Sequence, residues 1–64
     1  MKKKELDKYL RKNVKVIFKN NDVIYGFLAH YANKYVLITK RSEYVTTFTY
    51  FANRKVKRIL KDGG

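Results

Sequence analysis

Apolar residues recur along the chain with two different periods. Near the start, Leu6, Tyr9 and Leu10 fall at helical spacing, and Asn13 follows as a stop. This spacing predicts one short amphipathic helix over about residues 3–12. From Val14 onward the spacing changes to a period of two, which is typical of strands with one buried face.

Polar steps divide the rest of the chain into short apolar runs. The steps read KNND, ANK, KRSE and ANRK, and Asn and Asp tolerate the positive φ that tight turns require. The third run, YVLIT, is apolar on both faces, which indicates a central strand. The pattern predicts strands at residues 14–18, 23–31, 35–39, 44–51 and 56–60.

The second predicted strand has a glycine at its middle, Gly26. Glycine weakens a strand unless the sheet bends sharply there or another backbone comes close. Relief of packing against the helix is an alternative explanation. With a bend, the elements predict a mainly β fold: an N-terminal α-helix followed by a five-stranded, strongly bent antiparallel SH3-like barrel. The barrel would span about residues 13–60 of a single domain, with a disordered tail at 61–64.

Length and charge limit the possible functions. A chain of 64 residues has a marginal core, and small domains are stabilised by disulfides, metals or self-association. The chain has no Cys and one His, which leaves self-association. Its 16 basic and 5 acidic residues give a net charge of +11, a field that favours nucleic acid as partner. A basic rim that only keeps the protein in solution is the alternative.

Residues for catalysis are sparse. The five carboxylates fall in the helix, the turns and the tail, and nothing pairs them as an acid and a base. His30 stands alone, so the spacing offers no metal site. We therefore expect no enzyme activity, no metal, no cofactor and no small-molecule substrate. No apolar run is long enough to span a membrane, and the start lacks the apolar centre of a signal peptide, so a cytoplasmic location without membrane contact is expected.

Two predicted turns carry groups that suit single-stranded RNA. They read HYANKY at 30–35 and YFANRK at 50–55. An aromatic ring stacks on a base, an Asn amide reads a base edge, and Lys or Arg meets phosphate. The alternative is that the aromatic residues belong to the core or to an interface and that the charges only solvate the turns.

The order of these features resembles the Sm and Sm-like family, which includes the bacterial RNA chaperone Hfq. The first motif of that family is an apolar strand, a polar turn, a strand with glycine before leucine, a polar loop and an apolar strand. A second motif of two apolar strands around a short turn matches TYFANRKVKRIL. The first motif matches Val14, Val16, Phe18, Lys19, Asn20, Asn21, Ile24, Gly26, Leu28, Tyr31, Leu37 and Ile38.

The resemblance implies an RNA-binding protein that acts as an RNA chaperone. It implies a homomeric ring, a hexamer or heptamer, in which the fourth strand of one subunit pairs with the fifth strand of the next. Ala32, Val36 and Ala52 depart from the family's base-binding positions. Carried over by position, Lys34 or Tyr35 takes the stacking place. The RNA-binding residues would be Asn33, Lys34, Tyr35, Asn53, Arg54, Lys55 and Tyr31, with Arg11 and Lys12 as a basic rim.

Two other classes of protein fit the same sequence. One is a monomeric SH3-like barrel that binds duplex DNA or ribosomal RNA through charge and shape. The other is a structural subunit whose basic surface meets an acidic protein. The mass in solution separates the monomer from the ring, and nuclease-sensitive retention of nucleic acid separates the RNA-binding proteins from the structural subunit.

Overall fold

A computed structural model of the chain describes residues 1–62. It is mainly β, with a short N-terminal helix and a five-stranded antiparallel sheet in the order β4-β3-β2-β1-β5. No helix in this part of the chain is long and apolar enough to cross a membrane. The elements are α1 Lys3–Asp7, β1 Asn13–Phe18, β2 Val23–Tyr31, β3 Lys34–Lys40, β4 Thr46–Phe51, a 3₁₀ turn Asn53–Lys55 and β5 Val56–Lys61.

The helix is shorter than its apolar spacing predicted. It ends at Asp7, and the next residues form tighter turns in which Tyr9 N donates to Leu6 O at 2.8 Å. Arg11 then adopts a φ of 64° and its N–H donates to Leu28 O. The prediction of a helix to residue 12 was therefore wrong, because the chain must reverse to join the sheet. Leu6 is fully buried.

Strand β2 changes partner at its middle. Its first half pairs with β1, from Val23 to Phe27, and its second half pairs with β3, from Phe27 to Tyr31. Gly26 lies at this change, and a Cβ there would stand 2.9 Å from the backbone oxygen of Ile38. The glycine is therefore explained by a close approach of β3, one of the two conditions under which a strand contains glycine; the bend that was predicted for it stays a prediction.

The hairpin between β2 and β3 is closed by two residues with positive φ. Ala32 has a φ of 51° and Asn33 a φ of 67°, and the flanking residues Tyr31 and Lys34 are directly paired. Two successive positive φ angles are the signature of a type I′ turn, whose twist matches that of the strands. This turn fixes where β3 begins and so places Lys34.

Several strand boundaries differ from the prediction, those of β1 and β3 by one residue each and those of β4 and β5 in ways that affect the fold. Strand β4 begins at Thr46 rather than at Tyr44, because Val45 O accepts the N–H of Arg41 in the preceding turn. At the other end, Lys61 belongs to β5 and Asp62 N donates to Asn13 O. Residues 61 and 62 are thus not the disordered tail that was expected. The remainder of that predicted tail, residues 63–64, lies outside the described residues.

The core fills one face of the sheet beneath the helix. Strand β3 lies inside the sheet as predicted, with three consecutive buried residues, Tyr35, Val36 and Leu37. Strands β4 and β5 are the two edges, so the sheet of residues 1–62 is not closed and the barrel stays a prediction. The core cluster consists of Leu6, Val14, Val16, Phe18, Leu28, Tyr35, Leu37, Phe51, Val56 and Ile59.

Candidate functional site

An open cavity of about 580 Å³ lies at one end of the sheet. We call it the basic cavity. Its volume falls within the range of about 300–1,000 Å³ that is usual for ligand sites. It is lined by Phe18, Asn20, Asp22, Lys34, Thr49, Tyr50, Phe51, Ala52, Arg54 and Lys55.

Strand pairing brings the walls of the basic cavity together. Strands β3 and β4 are antiparallel with Tyr35 opposite Phe51, so the start of β3 lies beside the end of β4. The 3₁₀ turn follows β4 after Ala52. The turn between β1 and β2 is held nearby, since Lys19 N donates to Lys55 O at 2.9 Å. Two turns and the facing ends of β3 and β4 thus contribute side chains to one concave surface.

Aromatic rings form the apolar part of the wall. Phe18 and Phe51 are buried and meet edge to face, with ring centroids 5.1 Å apart. Tyr50 differs from these two buried residues, because 54% of its surface is exposed. Its neighbours in β4 are fixed by pairing with β3. The cavity therefore has a rigid floor and one aromatic side chain that solvent, or a ligand, can reach.

Cations outnumber anions in this cavity. Lys34, Arg54 and Lys55 line it together with a single carboxylate, Asp22. Both Arg54 and Lys55 are exposed, so their charged ends reach water and any bound anion. Concave surfaces with one sign of charge concentrate the field there. The wall is thus suited to a phosphate group beside a planar ring.

Tyr35, predicted as a stacking residue, does not reach this surface. Only 2% of it is exposed, and its hydroxyl donates to Asp7 Oδ1 at 2.7 Å. Burial, together with the hydrogen bond and the charge of Asp7, raises the pKa of Tyr35 to about 12. The prediction of a stacking role for Tyr35 was wrong, because position 35 points into the core and ties β3 to the helix.

Other predicted site residues lie apart from the basic cavity. The side chain of Asn53 is engaged with the chain start, its Nδ2 donating to Met1 O at 2.8 Å. Asn33 holds the type I′ turn. Tyr31 is 67% exposed and is paired with Lys34, but it is not a lining residue. Of the residues predicted in the two loops, the cavity unites Lys34, Arg54 and Lys55.

The predicted basic rim lies at a second, smaller cavity of about 180 Å³. Arg11 lines it together with Leu10, Ala29 and His30. Lys12 is exposed and its backbone oxygen accepts the N–H of Leu28 at 3.0 Å. This place is separate from the basic cavity, and the two share no lining residue. Arg11 and Lys12 therefore do not contribute to the site formed by the loops.

Sequence reasoning did not include the turn between β1 and β2 in the site. Asn20 and Asp22 line the basic cavity, yet their residue types in the sequence indicate only a turn. Tyr50 carried a signal, since it opens the YFANRK segment. Within residues 1–62 no group of three or more His, Cys, Asp or Glu is placed to hold a metal ion.

Comparison with models of protein families, with curated proteins and with solved structures gave no match to this chain.

Proposed function

We propose that this protein binds single-stranded RNA in the basic cavity. The observation that carries the proposal is the convergence of Lys34, Arg54 and Lys55 on one concave wall beside the exposed ring of Tyr50. Single-stranded nucleic acid is bound by this combination of a cationic groove and aromatic rings on which bases stack. The net charge of +11 over the chain supplies the long-range attraction.

The shape of the cavity favours a single strand over a duplex. Tyr50 stands among the lining residues of a cavity rather than on a flat face. A base must leave its own stack to enter a concave site, and unpaired bases do so readily. Phosphates on either side then lie within reach of the exposed ends of Arg54 and Lys55, whereas a duplex would meet the same cations through its backbone alone.

We further propose that subunits assemble through the two open edges of the sheet. Strands β4 and β5 each have one unpaired side. Strand β4, TTFTYF, carries no charge and exposes Phe48 at 56% of its surface. An uncharged, apolar edge is a template for another strand. Pairing of β4 with β5 of a neighbour would leave neither edge open and would form the homomeric ring that the resemblance to Sm-like proteins implies, with action as an RNA chaperone.

Binding is tested with alanine variants of the cavity. A labelled single-stranded RNA of about ten nucleotides, a length within the roughly 4–16 nucleotides that one binding site covers, is titrated by fluorescence anisotropy. Arg54→Ala and Tyr50→Ala are each expected to weaken binding about fivefold or more, since stacking and cation contacts are each worth about 1–3 kcal/mol. A duplex of the same length is titrated beside it.

Lys4→Ala is the matched control. It removes one positive charge from an exposed residue of the helix that does not line the cavity. It is expected to lower the salt dependence slightly without changing the preference for single strands. Equal losses for Arg54→Ala and Lys4→Ala, with Tyr50→Ala unchanged, would show that bulk charge alone binds RNA and would overturn the proposed site.

A further inference from the structure

The basic cavity contains one anionic side chain, Asp22. A site that bound only phosphate would not explain a carboxylate at this position. A carboxylate repels phosphate and reduces the positive potential of the wall. A carboxylate only accepts hydrogen bonds, and it does so with two oxygens. It therefore suits the part of a nucleotide that carries hydrogen-bond donors, which is the edge of the base.

Asp22 is held in place by its own turn. Its backbone N–H donates to Asn20 Oδ1 at 3.0 Å, and Asn20 Nδ2 donates to Asp22 Oδ2 at 2.9 Å. The backbone oxygen of Asp22 accepts the N–H of Phe18 at 2.8 Å. Asn20 occupies one lone pair of the carboxylate, which offers about four in all. The side chain is thus oriented while most of its accepting capacity stays available.

The four bases present different edges to such a carboxylate. Guanine offers two adjacent donors, N1–H and the N2 amino group, which match the two carboxylate oxygens. Uracil, adenine and cytosine each place an acceptor beside the donor on that edge, and this acceptor would face an anion. We propose that Asp22 selects guanine in the basic cavity. This inference rests on the proposed function, because it assigns base specificity to the same RNA site.

The stacking geometry is compatible with this selection. Tyr50 and Asp22 line the same cavity from different elements, β4 and the turn after β1. A base stacked on Tyr50 keeps its hydrogen-bonding edge free, and Asp22 lines the same cavity. Arg54 and Lys55 then meet the phosphate.

The test compares three single-stranded RNAs that differ at one position. Each is a uridine hexamer in which one central residue is uridine, guanosine or inosine. Inosine keeps N1–H and lacks the N2 amino group. We expect the guanosine RNA to bind about fivefold or more tighter than the other two, since a bidentate contact to a base edge discriminates by about that factor. Asp22→Asn should reduce this preference to about twofold or less.

Glu43→Gln is the matched control, because it removes one exposed carboxylate from the turn between β3 and β4, away from the cavity lining. It should keep the guanosine preference. The comparison of RNAs on the unaltered protein stands even if Asp22→Asn impairs folding. Equal binding of guanosine and inosine RNAs would overturn the inference and leave the proposed function intact. Failure to bind any of the RNAs would overturn both.

Discussion

The Tyr35 hydroxyl donates to Asp7 Oδ1 at 2.7 Å, and this contact joins the N-terminal helix to the third strand. The ring of Tyr35 stacks on Phe51, with centroids 6.0 Å apart and planes 25° from parallel. The ring of His30 also contacts Tyr35, with centroids 5.0 Å apart. Tyr35 is thus a core residue whose polar end fixes the helix, and it holds Phe51 as part of the cavity floor.

Removal of the acceptor should destabilise the fold. Asp7→Ala leaves the hydroxyl of a buried tyrosine without this partner, which costs about 1–3 kcal/mol. We expect urea denaturation to show a loss of this size in the free energy of unfolding. Glu5→Ala, an exposed acidic residue in the same helix, should change stability by less than about 0.5 kcal/mol. Equal effects of the two variants would show that the helix does not depend on the Tyr35 contact.

The raised pKa of Tyr35 leads us to expect a loss of stability at high pH. The pKa of Tyr35 is raised from 10.0 to about 12 by burial, by its hydrogen bond to Asp7 and by the charge of that residue. The protonated form is therefore favoured in the folded state. Its contribution is fully present below pH 10 and is lost as the pH rises from about 10 through 12.

Tyr35→Phe isolates this contribution from the titration of the lysines, which both proteins share. The difference in unfolding free energy between the original protein and the variant should decrease as the pH rises above 10. A difference that stays constant from pH 8 to about 12, the range that covers both pKa values, would show that Tyr35 ionises as freely in the fold as in the unfolded chain.

Gly26 should not accept even one methyl group without cost. A Cβ at this position would lie 2.9 Å from both Ile38 O and Thr39 Oγ1. Since Ile38 O is backbone, Gly26→Ala forces β2 and β3 apart and should lower the free energy of unfolding by about 1–3 kcal/mol. Gly26→Val should be worse, although valine favours strands.

The double variant Gly26→Ala/Thr39→Ala identifies the obstacle at Gly26. Removal of the Thr39 hydroxyl relieves one of the two contacts and leaves the backbone contact in place. The double variant should therefore be no more stable than Gly26→Ala, because the contact with Ile38 O remains. It also lacks the hydrogen bond that the Thr39 hydroxyl donates to Tyr25 O. Thermal melts that show full recovery would place the obstacle at the side chain and remove the case for a close approach of backbones.

Phe48→Asp tests the proposed edge contact without disturbing the subunit. Phe48 is 56% exposed in β4, so an aspartate there should leave the circular dichroism spectrum unchanged while it dissociates an assembly formed through that edge. Val23→Asp makes a similar exchange at a residue that is 45% exposed on β2, inside the sheet, and should leave the assembly intact. Loss of the assembly in both variants, or in neither, would contradict an interface at β4.

The approximate positions of the strands along the chain were predictable because alternation and turn residues act locally. Val14, Val16 and Phe18 are all buried as their period of two predicts. The end of the helix was not predictable, since Tyr9 and Leu10 keep helical spacing while the chain reverses to reach Leu28. Local patterns also do not predict whether the sheet closes into a barrel, because closure depends on pairing between strands that are distant in the sequence.

The site was predictable in part for the same reason. Lys34, Arg54 and Lys55 converge because two predicted turns lie at the ends of paired strands. The face to which Tyr35 points depends on the strand register, which an apolar run such as YVLIT leaves open. The position of Asp22 in the cavity lining depends on the close packing of two turns, which are joined by the hydrogen bond from Lys19 N to Lys55 O. The sequence alone does not show this packing.

We propose that several copies of this chain together bind single-stranded RNA. Light scattering coupled to size-exclusion chromatography tests it directly on nuclease-treated protein, with and without a uridine-rich oligoribonucleotide. We predict a monodisperse mass that is a multiple of the 7.7 kDa chain and that rises by the mass of the RNA when the oligonucleotide is added. A single species at 7.7 kDa whose mass does not change with RNA would overturn both the assembly and the RNA binding proposed for this protein.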